Sequence, residues 1–198
     1  MEHRFLHSPD WRFVAMMIPL MTLLQAIGPE HFRYQQNLVA QGQWWRIISA
    51  HWVHVGWLHL LLNGLGLVIC VSLTSPGWPP ARWLLCCVIM AIGISLLLTL
   101  YNPEVVDYAG LSGVLFGLYM LTALDLYSRD RLIAVLIIAA IVIKVAMEQF
   151  NFYDFNSGEL IGARVIVDAH LYGLLMAIAI ALAWATYTMN QCQTRQSD

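Results

Sequence analysis

The sequence places one serine, two histidines and one asparagine near the starts of three separate apolar segments. Ser112 begins one segment, His170 lies at the start of another, and His59 and Asn63 lie near the start of a third. A serine hydroxyl is a poor nucleophile until a neighbouring base takes its proton, and a histidine can act as that base. These residue types predict acyl-transfer chemistry, with Ser112 as the nucleophile and His170 as the base that returns the proton to the leaving amine.

The same region offers donors for the oxyanion that forms when a serine attacks a carbonyl carbon. The candidates are the backbone N–H of Ser112, the side-chain amide of Asn63 and the imidazole of His59, and each such donor is worth about 3 kcal/mol in comparable sites. His59 and Asn63 are four residues apart and therefore share one face of a helix. Glycines on both sides of Ser112 allow a tight turn and the close approach of a substrate backbone.

Asp168 is close to His170 in the sequence, but its spacing argues against a third catalytic role. Residues two positions apart on a helix are separated by about 200° around its axis, which puts the side chains of Asp168 and His170 on opposite faces. Arg164 precedes Asp168 by four residues and is predicted to be the partner of its carboxylate. A Ser–His dyad is therefore the expected arrangement.

The elements that position these side chains are predicted to be membrane helices. Of the 198 residues, 60% are hydrophobic and 11% are charged, whereas soluble domains carry about a quarter charged residues. Six apolar stretches approach the roughly 20 residues that a spanning helix needs. They cover residues 13–27, 57–74, 83–100, 112–127, 132–150 and 167–187. We expect one all-α integral membrane domain over residues 1–198, and the net charge of −2 argues against nucleic acid as a partner.

The order of the helices brings the polar residues to one side of the membrane. The second, fourth and sixth helices enter from the same side, so their first turns lie at a similar depth. Polar residues there are costly and by default mark a functional site. Small residues recur every four positions in two helices, which lets backbones approach closely. They are Gly113 and Gly117 in the fourth helix, and Ala169, Gly173, Ala177, Ala181 and Ala185 in the sixth. If the two stripes face each other, Ser112 meets His170; the alternative is that each stripe packs elsewhere.

The arginines indicate the orientation of the chain. With a cytoplasmic N-terminus, six arginines lie on the inner side and three on the outer side, as the positive-inside rule favours. Both termini are then cytoplasmic, and the first helix is expected to be retained rather than removed as a signal peptide. The connection over residues 28–56 carries tryptophans among polar residues and is predicted to fold as an outer interfacial loop.

Two further groups have more than one interpretation. Lys144 and Glu148 are four residues apart in the fifth helix and are predicted to pair, with a structural role favoured over a gating role. The aromatic residues between the last two helices either cap the active-site cavity or anchor the chain at the interface, and both interpretations stay open. They are Phe152, Tyr153 and Phe155.

The histidine cluster of the outer loop could in principle bind a metal ion. Its members are His51, His54 and His59, but no cysteine or carboxylate with ligand spacing accompanies them. Hydrogen bonding within the loop is the favoured interpretation, so no metal site is expected.

Four short motifs together resemble the rhomboid family of intramembrane serine proteases. They are Gly110-Leu111-Ser112-Gly113, Ala169-His170-Leu171-Tyr172-Gly173, His59-Leu60-Leu61-Leu62-Asn63 and Trp45-Arg46. They occur in the family's order across essentially all six helices. The resemblance implies a six-transmembrane-helix rhomboid bundle with a Ser–His dyad in a water-filled cavity. That cavity would open to the outside beneath a loop, with substrate entering beside the fifth helix.

The resemblance also implies roles for individual residues. Ser112 is the nucleophile and His170 is the base. The positions implied for oxyanion stabilisation or substrate binding are His59, Asn63, Gly110, Leu111 and Phe116, of which Phe116 would stack on the base. His54 resembles a structural histidine of the family. One departure is Gln43, where the family often has Glu two residues before its Trp-Arg pair, which puts a loop-bracing ion pair in doubt.

The compact chain with its short loops looks closest to the rhombosortase branch of the family. That resemblance implies membrane-anchored substrates, including proteins with C-terminal Gly-Gly-containing tails, in the inner membrane of Gram-negative bacteria, with the active site open to the periplasm and no cofactor. Two alternatives remain. One is an inactive relative that only binds membrane helices, against which Ser112 and His170 argue. The other is a His-lined metal or haem membrane protein, which would leave Ser112 without a role.

Overall fold

The computed structural model describes residues 11–74, 78–150, 158 and 162–197. The helices are α1 (Arg12–Ile27), α2 (Gln36–Ala40), α3 (Arg46–Ser49), α4 (Trp57–Leu73), α5 (Pro80–Tyr101), α6 (Ser112–Leu126), α7 (Arg131–Gln149) and α8 (Val167–Ser197). A 3₁₀ turn covers Pro29–His31, and two short strands are β1 (Tyr34–Gln35) and β2 (Asp107–Tyr108). The aromatic residues that either cap the cavity or anchor the chain at the interface lie outside the described residues, namely Phe152, Tyr153 and Phe155.

Six long helices occupy the six stretches predicted from hydropathy. Helices α5, α7 and α8 are long and apolar enough to cross a membrane, while α1, α4 and α6 are shorter apolar helices of 16, 17 and 15 residues. Helix α5 begins at Pro80, three residues earlier than predicted, because proline is well suited to the first helical turn. Helix α8 extends ten residues beyond the predicted end at residue 187. Its apolar stretch stops there, but the following residues contain no glycine or proline to end the helix.

Helix α6 lies at the centre of the bundle. It packs against α4, α5, α7 and α8, whereas α1 packs against α4 and α5 at the periphery. Val114, Leu118 and Ala123 of α6 are completely buried. The helix that begins with Ser112 is therefore the one that most of the other helices surround.

The two small-residue stripes face each other, as one of the two interpretations of the sequence predicted. A Cβ atom added at Gly113 would lie 2.7 Å from the carbonyl oxygen of Ala169, and one added at Gly117 would lie 2.6 Å from that of Gly173. A Cβ atom at Gly173 would collide with the carbonyl oxygen of Gly113. Helices α6 and α8 thus touch backbone to backbone, which only small residues permit.

The loop over residues 28–56 is folded and fastened to the bundle. Strands β1 and β2 pair antiparallel, with Tyr34 opposite Tyr108, which joins the loop to the segment before α6. Arg46 is buried, and its guanidinium donates to the carbonyl oxygens of Glu30 and Arg33 at 3.0 and 2.7 Å.

Gln43, which stands where the family often has Glu, gives Arg46 a neutral hydrogen-bond partner within this loop. Arg46 Nε donates to Gln43 Oε1 at 2.7 Å. A side-chain amide oxygen therefore accepts from the arginine, so a hydrogen bond joins these two positions without an ion pair.

Candidate active site

The turn before α6 holds Ser112 at the first position of the helix. Gly110 has a φ of +140°, a conformation that side chains with a Cβ rarely adopt, and an added Cβ would lie 2.7 Å from the imidazole of His59. Its N–H donates to the carbonyl oxygen of Ala50 at 3.0 Å, and its carbonyl accepts from the Tyr108 hydroxyl at 2.9 Å. Burial raises the pKa of Tyr108, so this hydroxyl stays protonated and donates.

Ser112 and His170 are within hydrogen-bond distance although 58 residues separate them. Ser112 Oγ lies 3.0 Å from His170 Nε2. The ring of Phe116, one turn after Ser112, stacks on the imidazole with centroids 4.3 Å apart and planes 16° apart. The hydroxyl, the imidazole and the stacking ring come together because α6 and α8 are in backbone contact.

Glu148 is a member of this cluster that sequence reasoning did not connect to His170. Its Oε2 lies 2.8 Å from His170 Nδ1, and its Oε1 lies 2.8 Å from Lys144 Nζ. The predicted pair with Lys144 is therefore confirmed, but it uses only one of the two carboxylate oxygens. The sequence did carry one signal for Glu148. A carboxylate inside a membrane helix is costly and by default marks a functional site.

Asp168 points away from the Ser–His pair, as its spacing predicted. Its Oδ2 accepts from Asn102 Nδ2 at 3.2 Å, and the Tyr172 hydroxyl donates to Asn102 Oδ1 at 2.6 Å. The prediction that Arg164 is its partner was wrong, since no ion pair joins the two side chains in the described part of the chain. Asn102 lies at the end of α5, where the packing of α5 against α8 brings it to Asp168.

The two side chains predicted as oxyanion donors lie on different sides of Ser112. His59 and Ser112 line a cavity of about 460 Å³, whose other walls include Arg33 and Arg164. Asn63 and Ser112 line a separate apolar groove of about 470 Å³ between α4 and α7. Ser112 is thus accessible from a polar cavity and from the lipid-facing surface of the bundle.

The hydrogen bonds of these two residues also differ. Asn63 donates one amide hydrogen to the carbonyl oxygen of His59 at 3.1 Å, which leaves the second hydrogen for another acceptor. His59 Nδ1 is buried and has no hydrogen-bond partner among the residues that the structure describes.

The loop histidines do not form a shared ligand set. The predicted hydrogen bonding within the loop was wrong for His54, whose two buried imidazole nitrogens have no hydrogen-bond partner among the described residues. His51 Nε2 lies 3.1 Å from Ser95 Oγ, and the His51 ring contacts Tyr108. The ring of His54 packs edge-on against that of His59 at 5.0 Å. Burial lowers the pKa values of His51 and His54 to about 3, so both are neutral at physiological pH. Within the described residues, no group of three His, Cys, Asp or Glu side chains could hold a metal ion.

Comparison with known proteins agrees with this architecture. The family model described as Rhomboid domain matches residues 41–187. A protein named putative rhomboid protease YdcA from Bacillus subtilis (strain 168) is 30% identical over 142 residues, covering 69% of this chain and 65% of the relative. RHOMBOID-like protein 2 of Arabidopsis thaliana is 25% identical over 90% of this chain and 56% of its own length. Rhomboid protease GluP of Bacillus subtilis is 30% identical over 93% of this chain.

The chain spans only part of these relatives, namely between 41% and 65% of their lengths. The matched region nevertheless includes α3 to α7 and most of α8, and with them Ser112, Glu148 and His170. Together with its apolar helices, this match shows that the protein is an integral membrane protein that belongs to the rhomboid family.

Proposed function

We propose that this protein is an intramembrane serine endopeptidase that cleaves membrane-anchored proteins, with Ser112 as the nucleophile and His170 as the general base. The observation that carries the proposal is the 3.0 Å separation between Ser112 Oγ and His170 Nε2. A hydroxyl and an imidazole in hydrogen-bond contact are the arrangement that activates a serine. The protease names of the relatives in Bacillus subtilis support the same activity.

The reaction proceeds by acyl transfer in two steps. Ser112 Oγ forms a bond to the scissile carbonyl carbon while its proton moves to His170 Nε2 and the carbonyl π electrons move to oxygen. When the carbonyl re-forms, the C–N bond breaks and the leaving amine takes the proton from Nε2. Water then attacks the carbonyl carbon of the acyl-enzyme while His170 Nε2 accepts its proton. The ester C–O bond breaks, Ser112 Oγ takes the proton from Nε2, and the carboxylic acid product leaves.

Three donors around Ser112 are proposed to stabilise the oxyanion. Ser112 is the first residue of α6, so its backbone N–H has no partner within the helix and lies at the positive end of the helix dipole. The free amide hydrogen of Asn63 and the imidazole of His59 are the side-chain candidates. Gly110 and Leu111 form the turn along which the substrate backbone would lie.

The two openings at Ser112 suit a substrate that is itself a membrane segment. The apolar groove lined by Asn63, Phe116 and Ile141 offers a path from the lipid, beside α7. The polar cavity lined by His59 offers a path for the hydrolytic water. A scissile bond presented from the lipid side would therefore meet Ser112 at the boundary between the apolar groove and the polar cavity.

The proposed topology has six membrane-spanning helices, namely α1, α4, α5, α6, α7 and α8. The helices span a bacterial inner membrane, both termini lie in the cytoplasm, and the active site opens to the periplasm. The excess of arginines on the inner side supports this orientation. The short helices α1, α4 and α6 can span if the bilayer thins locally around them, at a modest cost in free energy.

We further propose a rhombosortase-type substrate, a protein with a C-terminal Gly-Gly-containing membrane tail. The short loops between the helices are the support for this assignment. A reporter protein carrying such a tail, co-expressed with the wild-type chain, should be released from the membrane. A matched reporter with Leu-Leu in place of Gly-Gly should stay anchored, and equal release of both would reject this substrate class while leaving the protease proposal intact.

The activity itself is tested with an active-site serine probe. Detergent-solubilised wild-type protein should be labelled by a fluorophosphonate, and labelling should disappear in Ser112→Ala and fall by several orders of magnitude in His170→Ala. Thermal unfolding of wild type and Ser112→Ala should be similar, because Ser112 is not a core residue, whereas His170 is buried and His170→Ala should unfold at a lower temperature while remaining folded at the labelling temperature. Folded wild-type protein that is not labelled would point instead to an inactive relative that binds membrane helices.

A further inference from the structure

The carboxylate of Glu148 contacts the catalytic histidine on the side opposite to the serine. His170 Nδ1 lies 2.8 Å from Glu148 Oε2, while His170 Nε2 lies 3.0 Å from Ser112 Oγ. Both side chains are nearly fully buried, at 6% exposure for His170 and 7% for Glu148. Serine, histidine and glutamate thus form a continuous hydrogen-bonded row from α6 through α8 to α7.

The pairing of Lys144 with Glu148 does not account for this arrangement. A helix-stabilising pair needs one contact between residues four apart, and Oε1 supplies it at 2.8 Å from Lys144 Nζ. The second oxygen is directed at His170, which lies on a different helix. Asp168 does not make this contact: its Oδ2 accepts from Asn102, and both ring nitrogens of His170 lie against Glu148 and Ser112.

We propose that Glu148 is a positioning residue for His170, so that the site operates as a Ser112–His170–Glu148 triad rather than as a dyad. This inference rests on the proposed function. The carboxylate accepts the Nδ1–H of the imidazole, which fixes the tautomer in which Nε2 carries a lone pair toward Ser112. When Nε2 takes the serine proton, the adjacent carboxylate stabilises the imidazolium, and it does so more strongly than it would in water.

Lys144 contacts Glu148 and is not part of the row itself. A carboxylate in a membrane helix is costly without a partner, and the ammonium group of Lys144 offsets its charge. The lysine side chain is 47% exposed and lines the apolar groove. Of these two side chains, only Glu148 contacts the base.

The test measures fluorophosphonate labelling of the full-length protein at several probe concentrations. Glu148→Gln should lower the limiting rate of labelling on the order of 10²–10⁴-fold and leave the half-saturating probe concentration unchanged, because the base loses its orientation but the probe site does not change. Lys144→Met, the matched control four residues away, should lose no more than about tenfold. A limiting rate in Glu148→Gln within threefold of wild type would overturn the proposal.

The double variant Lys144→Met/Glu148→Gln separates positioning from ion pairing. If Glu148 only pairs with Lys144, removing both charges restores near-wild-type labelling. If Glu148 positions His170, the double variant stays as slow as Glu148→Gln. Recovery in the double variant would therefore reject the triad even if the single variant is poorly folded.

A spectroscopic measurement on the unreacted protein gives an independent result. The proton shared between His170 Nδ1 and a carboxylate should give a strongly downfield ¹H resonance in wild type and in Lys144→Met. It should be missing from Glu148→Gln and His170→Ala. Persistence of the signal in Glu148→Gln would overturn the proposal. Wild-type protein that shows the signal but is not labelled would reject the proposed function and leave the contact itself intact.

Discussion

Helices α8 and α7 both contact the central helix α6, but they do so in different ways. Helix α8 meets α6 through backbone atoms at Gly113, Gly117 and Gly173, where no additional carbon would fit. Helix α7 has only three buried apolar residues, and most of its other large apolar side chains face outward. The buried three are Ala134, Ile141 and Val145.

This difference divides the hydrogen-bonded row of Ser112, His170 and Glu148 between a tightly packed and a loosely packed part. The Ser112–His170 contact belongs to the α6–α8 interface, whose geometry is set by backbone contact. The His170–Glu148 contact crosses to α7, which lies beside the apolar groove. In the proposed enzyme the Ser112–His170 contact is set by backbone packing, while the orientation of the base also depends on a helix with few buried apolar residues.

Breaking the tight interface should have the largest effect. Gly173→Ala places a Cβ against the carbonyl of Gly113, so we expect a loss of stability of about 3 kcal/mol or more and loss of fluorophosphonate labelling. Gly93→Ala in α5 is the matched control, because its Cβ would meet only the flexible side chain of Met176. Thermal unfolding in detergent, followed by labelling, measures both effects. Equal stability of the two variants would show that the α6–α8 contact is not close.

Acidification should weaken the rigid outer loop. His51 and His54 have pKa values of about 3 in the fold against an ordinary value of 6.5. The unfolded chain therefore takes up protons below about pH 6.5 that the folded chain does not, and the stability falls as the pH falls. The slope is up to about 1.4 kcal/mol per pH unit for each histidine.

Chemical unfolding in detergent between pH 7.5 and pH 5 measures this slope, in a range where most carboxylates stay ionised. The double variant His51→Gln/His54→Gln should show a shallower dependence than wild type. An identical slope would mean that these imidazoles are not buried as neutral groups.

Loosening α7 should slow labelling even in molecules that remain folded. Val145→Ala removes buried carbon atoms one turn before Glu148, so α7 should shift relative to His170 and the labelling rate should fall about three- to tenfold. Ile143→Ala, at an exposed position of the same helix, is the control and should label like wild type. If the labelling rate of Val145→Ala falls only in proportion to the loss of folded protein, the proposed difference between the two interfaces is rejected.

Asp168→Asn should have the smallest effect. The asparagine side chain would keep an oxygen that can accept from Asn102, and the carboxylate that it replaces does not contact His170. We expect a labelling rate within about threefold of wild type. A loss comparable to that of His170→Ala would show that Asp168, rather than Glu148, orients the base.

Much of the fold and site could be predicted from local patterns in the sequence. Hydropathy located the six long helices, because membrane helices must satisfy their backbone groups internally and so form continuous apolar runs. The four-residue spacing of glycine and alanine predicted the α6–α8 contact, and the order of the helices brought Ser112 and His170 to one side. The i, i+4 rule paired Lys144 with Glu148.

Contacts between helices that depend on rotation and tilt could not be predicted in this way. Glu148 meets His170 because α7 turns one carboxylate oxygen toward α8. Asp168 accepts from Asn102 instead of pairing with Arg164, because α5 ends beside it. Spacing along one helix reports only which side chains share a face. The polar partner that a side chain finds across an interface is decided by how neighbouring helices pack, which is a property of the tertiary structure alone.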